Sequence, residues 1–276
     1  MRLLPTSNKR LNLLVLLKAF GLGPAALTSS GKTDGGGAQV HAVLSVQAFC
    51  RTFGFPYAHT PFRQIEHSAG PAEVARWEQA FRLGDGFPSA DADAPTLKAY
   101  ARKPWLWGRK IHVALPHAHD FADSQHGAYA GLSKRRPPQA DGRAIVAIHV
   151  RRGDVSPAQN ASRYTTDAEI ADRIRLLQRH LPDAECRIYS EGIASDFQLF
   201  ADLGCTLRLG GDPLDILQEM AAADVLVTAK SSFSYVAALF NPNLVLYTPF
   251  WHAMQPGWVC LKDEPAVIAA LQARRR

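Results

Sequence analysis

The chain has 276 residues, room for one or two domains at roughly 150 residues each. Apolar residues make up 47% and charged residues 20%, a globular balance that excludes a disordered chain, a collagen-like repeat and a coiled coil. The net charge of +6 suits an anionic ligand or surface.

The longest apolar stretch, residues 11–17, ends at Lys18, far short of the roughly 20 residues that cross a bilayer. Arg2, Lys9 and Arg10 precede it, as in a secretory leader, but no small-residue cleavage site follows. Residues 1–24 therefore read as a leader or a surface segment. The expected location is cytoplasmic. The alternative is the lumen of the secretory pathway (Golgi or ER), with membrane association through this segment.

Residues 25–130 read as a small α/β domain. A strand is expected over 25–29, then a glycine-rich loop over 31–39 and a helix over 39–53. A strand over 55–59, a helix over 72–83 and a strand over 111–115 follow. Residues 84–95 are turn chemistry throughout, and residues 131–143 form a proline-containing basic linker. Beyond it the texture is regular. Strands are expected over 144–150, 187–190, 206–209, 224–228 and, last, 244–247. Helices are expected over 168–181, from a cap at Ser195 to 203, from a cap at Asp212 to 223, and over 234–240. Strands alternating with helices imply right-handed βαβ units and a parallel sheet, so 144–276 reads as a Rossmann-like domain. The four cysteines, Cys50, Cys186, Cys205 and Cys260, are far apart and read as buried free thiols.

Three motifs carry chemistry. His149-Val-Arg151-Arg152-Gly-Asp154 follows a buried strand, where open α/β sheets bind ligands. Adjacent guanidinium groups there read as a diphosphate clamp. Ala229-Lys-Ser231-Ser232-Phe233-Ser234 joins another buried strand to a helix. Its hydroxyls and free helix amides suit an anion, although one serine is explained by ordinary N-capping. Asp34-Gly-Gly36-Gly37-Ala-Gln39 lets the backbone approach a ligand closely, but it has neither P-loop nor dinucleotide spacing.

Taken in this order, the three motifs resemble those of the inverting fucosyltransferase superfamily that uses GDP-fucose on a GT-B fold. That group includes α1,2- and α1,6-fucosyltransferases, rhizobial Nod-factor enzymes and protein O-fucosyltransferases. Its His-x-Arg-Arg strand end is matched at His149 to Arg152. Its strand ending in Ser with an acidic residue is matched at Ser190-Glu191, and its Ser-Ser-x-Ser passage at Ser231 to Ser234. Its first-domain loop is matched loosely by Gly35 to Gln39, with Ala38 in place of Asn. The resemblance implies two Rossmann-like domains with a nucleotide-sugar cleft between them, a nucleotide-sugar donor, a glycan or protein acceptor, and no metal cofactor. It implies that Arg151 holds the β-phosphate of GDP, that His149 and Ser232 position the nucleotide, and that Glu191 lies near the ribose or in the motif's hydrogen-bond network. Arg152, Ser190, Ser231, Phe233, Ser234, Gly36, Gly37 and Gln39 complete the expected donor site. The base that takes the acceptor proton is expected at Asp154, with Glu66 as second candidate.

Three other readings are weighed. A metal-dependent transferase needs an Asp-x-Asp at a strand end, and Asp91-Ala-Asp93 sits instead in a turn-rich stretch. A metallohydrolase would use His112, His117, His119 and His126, a cluster without the partner ligands of a zinc site. A nucleotide-sugar-binding protein without turnover would keep the arginines and lack a base. The basic clusters at 134–136 and 274–276 are too short to point to nucleic acid.

Overall fold

A computed structural model describes residues 20–22, 25–29, 33–66, 68, 70–91, 96–97, 105–106, 109–110 and 142–274. The chain divides into two compact units, Met1–Tyr129 and Ala130–Arg276. The leader-like stretch at 11–17, the strand expected at 111–115, the histidine cluster and the basic linker up to residue 141 lie outside the described residues. Among those described, no helix is long and apolar enough to cross a membrane.

In the first unit, β1 (Thr28–Ser29) pairs in parallel with β2 (Thr96–Leu97), and β3 (Trp105–Leu106) pairs antiparallel with β4 (Arg109–Lys110). Helix α1 (Gly36–Phe53) ends on Gly54, whose left-handed φ of 67° lets its N–H return to the Cys50 carbonyl. Apolar residues recur on more than one side of α1, and Val40, Val43, Leu44, Val46 and Phe49 are all buried. Helix α2 (Pro71–Phe81) buries a single stripe, Val74, Trp77 and Phe81.

Two expectations change here. The helix begins at Gly36, so Gly36 and Gly37 lie in its first turn and the glycine loop is shorter than its composition suggests. A Cβ on Gly36 would come 2.6 Å from the Trp77 ring, so this glycine lets α1 and α2 pack together. Residues 55–59 form no continuous strand. They make single parallel bridges, Leu27↔Tyr57 and His59↔Ser89, because Pro56 and Pro88 withhold ladder N–H groups. A polar chain fixes this segment: Tyr57 Oη lies 3.0 Å from His59 Nδ1, and His59 Nε2 lies 3.1 Å from Glu78 of α2.

The second unit holds a parallel sheet of β5 (Ile145–His149), β6 (Glu185–Ser190), β7 (Thr206–Leu209), β8 (Val225–Val227), β9 (Leu244–Tyr247) and β10 (Val259–Cys260). Their spatial order is β10-β9-β8-β5-β6-β7. The chain starts at the middle, moves to one edge, returns to the middle and moves to the other. That is the doubly wound order of Rossmann folds. The helices are α3 (Asp167–His180), α4 (Gln198–Asp202), α5 (Pro213–Ala222), α6 (Ser232–Leu239) and α7 (Glu264–Ala273).

Local signals place these ends. Thr166 and Glu169 form a reciprocal capping box on α3. Asp212 accepts from the amides of Leu214 and Asp215 with Pro213 in the first turn of α5. Ser195 does not cap a helix: a 3-10 turn over Ala194–Phe197 precedes α4 and shows no side-chain cap. The strand at 244–247 is not the last, because β10 pairs with it and α7 follows. The core closes over the strands. Val146, Ile148, Ile188, Val225, Val227 and Leu246 pack with Ile170, Ile174 and Leu177 of α3 and with Val267 and Leu271 of α7. Cys50, Cys186 and Cys205 are buried free thiols, and Cys260 is half-buried.

Candidate functional site at the β5–β8 seam

Strands β5 and β8 are the two between which the winding reverses. The seam beyond their carboxyl ends is where doubly wound sheets take ligands. The sequence places one motif after each strand: His149 to Asp154 follows β5, and Ser231 to Ser234 opens α6 after β8. The pairing Ile148↔Val227 therefore brings the two motifs together. Their contact is direct, with the rings of His149 and Phe233 centred 5.9 Å apart.

His149 Nδ1 is shut off from solvent and has no hydrogen-bond partner among the described residues. Burial, with the nearby Arg151 charge, lowers its pKa to about 3, so the imidazole is neutral at pH 7. Arg151 lies across the turn from Asp154. Its Nε donates to Oδ1 at 2.9 Å and its Nη2 lies 2.6 Å from the same oxygen. Partial burial works against ionisation of Asp154, but the hydrogen bond and charge of Arg151 and the charge of Arg163 outweigh it, and its pKa falls below the usual carboxylate range. Arg163 is 3.8 Å from the other carboxylate oxygen and stacks over Trp251 at 4.9 Å.

Arg152 is held differently from the paired clamp the sequence suggests. It bonds to Asp167 at 2.5 Å and donates to the carbonyls of Arg151 and Thr165. Its guanidinium also lies 4.4 Å from the Tyr164 ring centre. These bonds stitch the loop after β5 to the start of α3, so of the two arginines Arg151 is the one poised at the turn. The ion pair of Asp154 is accordingly with Arg151 and Arg163, and Arg152 takes Asp167.

The serines also divide. Ser231 caps α6 by accepting from Phe233 N–H. Ser234 is fully buried and accepts from Ala229 N–H. Both hold the strand-to-helix turn. Ser232 instead turns its hydroxyl to His252 Nε2 at 2.9 Å. Lys230 donates to the Tyr164 carbonyl, a second tie between the two motif regions. On the other flank, Ser190 ends β6 and donates to the Glu191 carbonyl. Glu191 lies over Gly153, which has φ 76° and where any Cβ would collide with the Glu191 carboxylate.

Comparison with known proteins adds the following. No protein-family profile matches the chain, and no curated protein sequence matches it. Among solved structures it is similar to E. coli heptosyltransferase WaaC with ADP-2-deoxy-2-fluoro heptose, at 13% identity and a TM-score of 0.44, covering 90% of this chain and 96% of that one. It is also similar to the NodZ α-1,6-fucosyltransferase soaked with GDP-fucose, at 11% identity and a TM-score of 0.41, covering 79% of this chain and 93% of that one. POFUT1 in complex with GDP aligns at 12% identity and a TM-score of 0.39, covering 86% of this chain and 98% of that one.

The remaining expected residues belong to the first unit. Gln39 is buried, and its amide donates to the carbonyls of Asp34 at 2.7 Å and Gln64 at 2.6 Å. It closes the glycine turn onto the 62–66 segment. Gly36 packs on Trp77. Glu66 is exposed, and its N–H bonds to the Asp34 carbonyl. Among the described residues, no group of three or more His, Cys, Asp or Glu side chains is arranged to hold a metal ion. Sequence reading missed His252, Trp251 and Arg163. None lies in a motif, and only the fold brings them to the seam.

The neutral His149 makes an expected pH effect. The unfolded chain takes up a proton near pH 6.5, whereas the folded imidazole does so near pH 3. Its contribution is thus present above about pH 6.5 and is lost progressively as pH falls from there to about 3. Between pH 7 and pH 5 the wild type should lose about 2 kcal/mol more stability than His149→Phe, read from urea midpoints. Equal losses would show that position 149 does not titrate with folding.

Proposed function

We propose that this chain is an inverting glycosyltransferase that moves fucose from GDP-fucose to a hydroxyl of a glycan or protein acceptor. The observation that carries the reading is the junction of the His149–Arg151 turn and the Ser232 helix start at the winding reversal of the sheet. An arginine, a serine hydroxyl and the first-turn amides of α6 that Ser231 does not cap offer donors there suited to a diphosphate. The motif resemblance supplies the guanine nucleotide and the sugar.

On this reading the bond between the sugar's anomeric carbon and the β-phosphate oxygen breaks, and GDP leaves with both electrons. Arg151 neutralises the charge that develops on the leaving oxygen, the largest expected contribution to catalysis. The acceptor hydroxyl attacks the opposite face of the sugar, and its proton passes to a general base or to water. His149, neutral and closed against Phe233, shapes the floor of the site without adding charge.

The test is calorimetric binding of GDP, UDP and ADP, with transfer assayed from GDP-fucose. GDP-selective binding with transfer supports the reading, and binding of UDP or ADP in preference to GDP would overturn the donor. A nucleotide-sugar-binding protein without turnover is the second reading, favoured by the hold of Asp154 on Arg151. It predicts GDP binding with neither transfer nor hydrolysis. Donor chemistry carried by Arg151 and α6 should also survive EDTA. Activity abolished by chelator and restored by Mn²⁺ or Mg²⁺ would instead assign the leaving-group charge to a metal.

A further inference from the structure

We propose that His252 is a positioning residue of the donor site, which fixes the Ser232 hydroxyl so that its proton points to a phosphate oxygen of the bound nucleotide. The inference rests on the reading of the β5–β8 seam as a nucleoside diphosphate site. His252 lies 20 residues beyond Ser232, on the segment after β9, and its Nε2 is 2.9 Å from Ser232 Oγ.

The imidazole is 6% exposed and is walled by rings. Tyr235 is centred 4.8 Å away and Phe250 4.9 Å. Its backbone is anchored as well. The His252 carbonyl accepts from Tyr247 Oη at 2.5 Å, and the next carbonyl, Ala253, accepts from Tyr235 Oη at 2.6 Å. Two tyrosines from α6 and β9 thus set both the ring and its main chain. A buried imidazole so placed holds one orientation, with Nε2 facing Ser232 Oγ.

The direction follows from donor and acceptor counting. A serine hydroxyl has one proton to give. A phosphate oxygen only accepts. If Ser232 gave its proton to His252, it would face the ligand with lone pairs alone and repel it. With the proton on His252 Nε2, the ring donates to Ser232 Oγ, and the hydroxyl proton is left for the phosphate. Ser232 is the first residue of α6, beside the first-turn amides that Ser231 does not cap, so its proton adds to the donors of that helix start. Ser231 and Ser234 have their hydroxyls engaged in the turn itself, and only Ser232 is tied to another element's side chain.

The experiment is a double-mutant cycle read as GDP dissociation constants. His252→Phe keeps a ring in the aromatic wall and removes the donor. It should weaken GDP binding about threefold to tenfold, the worth of a neutral hydrogen bond. Ser232→Ala should match it, and the double variant should be no worse than either single one. His252→Gln, which returns an N–H near the Nε2 position, should recover most of the loss. Thermal midpoints run alongside identify a variant that has merely lost its fold. Losses that multiply in the double variant, or wild-type GDP binding by a folded His252→Phe, would overturn the pairing and leave the donor reading intact. If the wild type binds UDP or ADP in place of GDP, the same cycle applies to that nucleotide, and coupling there upholds the pair. If it binds no nucleoside diphosphate and no pyrophosphate, the donor reading and the pairing fall together.

Discussion

Arg151→Ala is expected to lower transfer from GDP-fucose by about 10²–10³, the scale on which removing one preorganised donor from a developing oxyanion acts. Arg151→Lys should recover little of it, since an ammonium cannot reproduce the planar fork. The fold should survive either change. The bond lost is a partly exposed pair with Asp154, worth no more than about 1 kcal/mol, and Arg163 remains 3.8 Å from the same carboxylate. Initial rates beside thermal midpoints check this. Turnover near that of the wild type in Arg151→Ala would remove Arg151 from the reaction.

The second large effect concerns the proton acceptor, for which the sequence offers two carboxylates, Asp154 and Glu66. Asp154 is engaged by Arg151 and holds its charge below the usual carboxylate range. A weakly basic, occupied carboxylate is suited to steering an arginine rather than taking a proton. Asp154→Asn should therefore raise KM and weaken GDP binding, by about tenfold if a charge-assisted hydrogen bond is lost, with a smaller change in kcat. If Glu66 is the base on the proposed reading, Glu66→Gln should do the reverse: kcat falls by about 10²–10⁴, the range of general-base catalysis, while GDP affinity holds. If Asp154→Asn instead loses kcat at unchanged affinity, the roles are exchanged. If both variants turn over normally, the proton leaves to water or to phosphate.

These residues also mark how far the sequence could be read. The second unit was legible because its cues are local. An apolar run of strand length gave β5, Thr206–Leu209 fell where expected, and Asp212-Pro213 announced α5. β10 has two residues and so no period, and it went unseen. Helix α7 did leave a cue, an Asp263 cap followed by Pro265, that the reading passed over. In the first unit, glycine composition suggested a loop where packing against Trp77 permits a helix. Each motif after β5 and β8 was visible, but the division of labour within it was not. Arg152 and Ser234 look like their neighbours in sequence. What distinguishes them is Asp167 and the Ala229 amide, partners that only the folded chain supplies. His252 has no motif around it, and its bearing on Ser232 is a tertiary fact.

The winding order has one more consequence, for how the site comes into being. β5, β6 and β7 are laid down consecutively to one side of the seam, and β8, β9 and β10 to the other. Each half can zip together through neighbours close in sequence, whereas the seam joins Val146 to Val225 across a far longer loop. The arginine turn belongs to one half and the serine helix to the other. Neither half contains a site. A ligand gripped from both sides binds only the closed seam and holds it closed by mass action. On the proposed reading, nucleotide affinity and the cohesion of the two halves are therefore one linked quantity. A chain cut near Gly211, between them, would yield two fragments that regain binding only by reassembling.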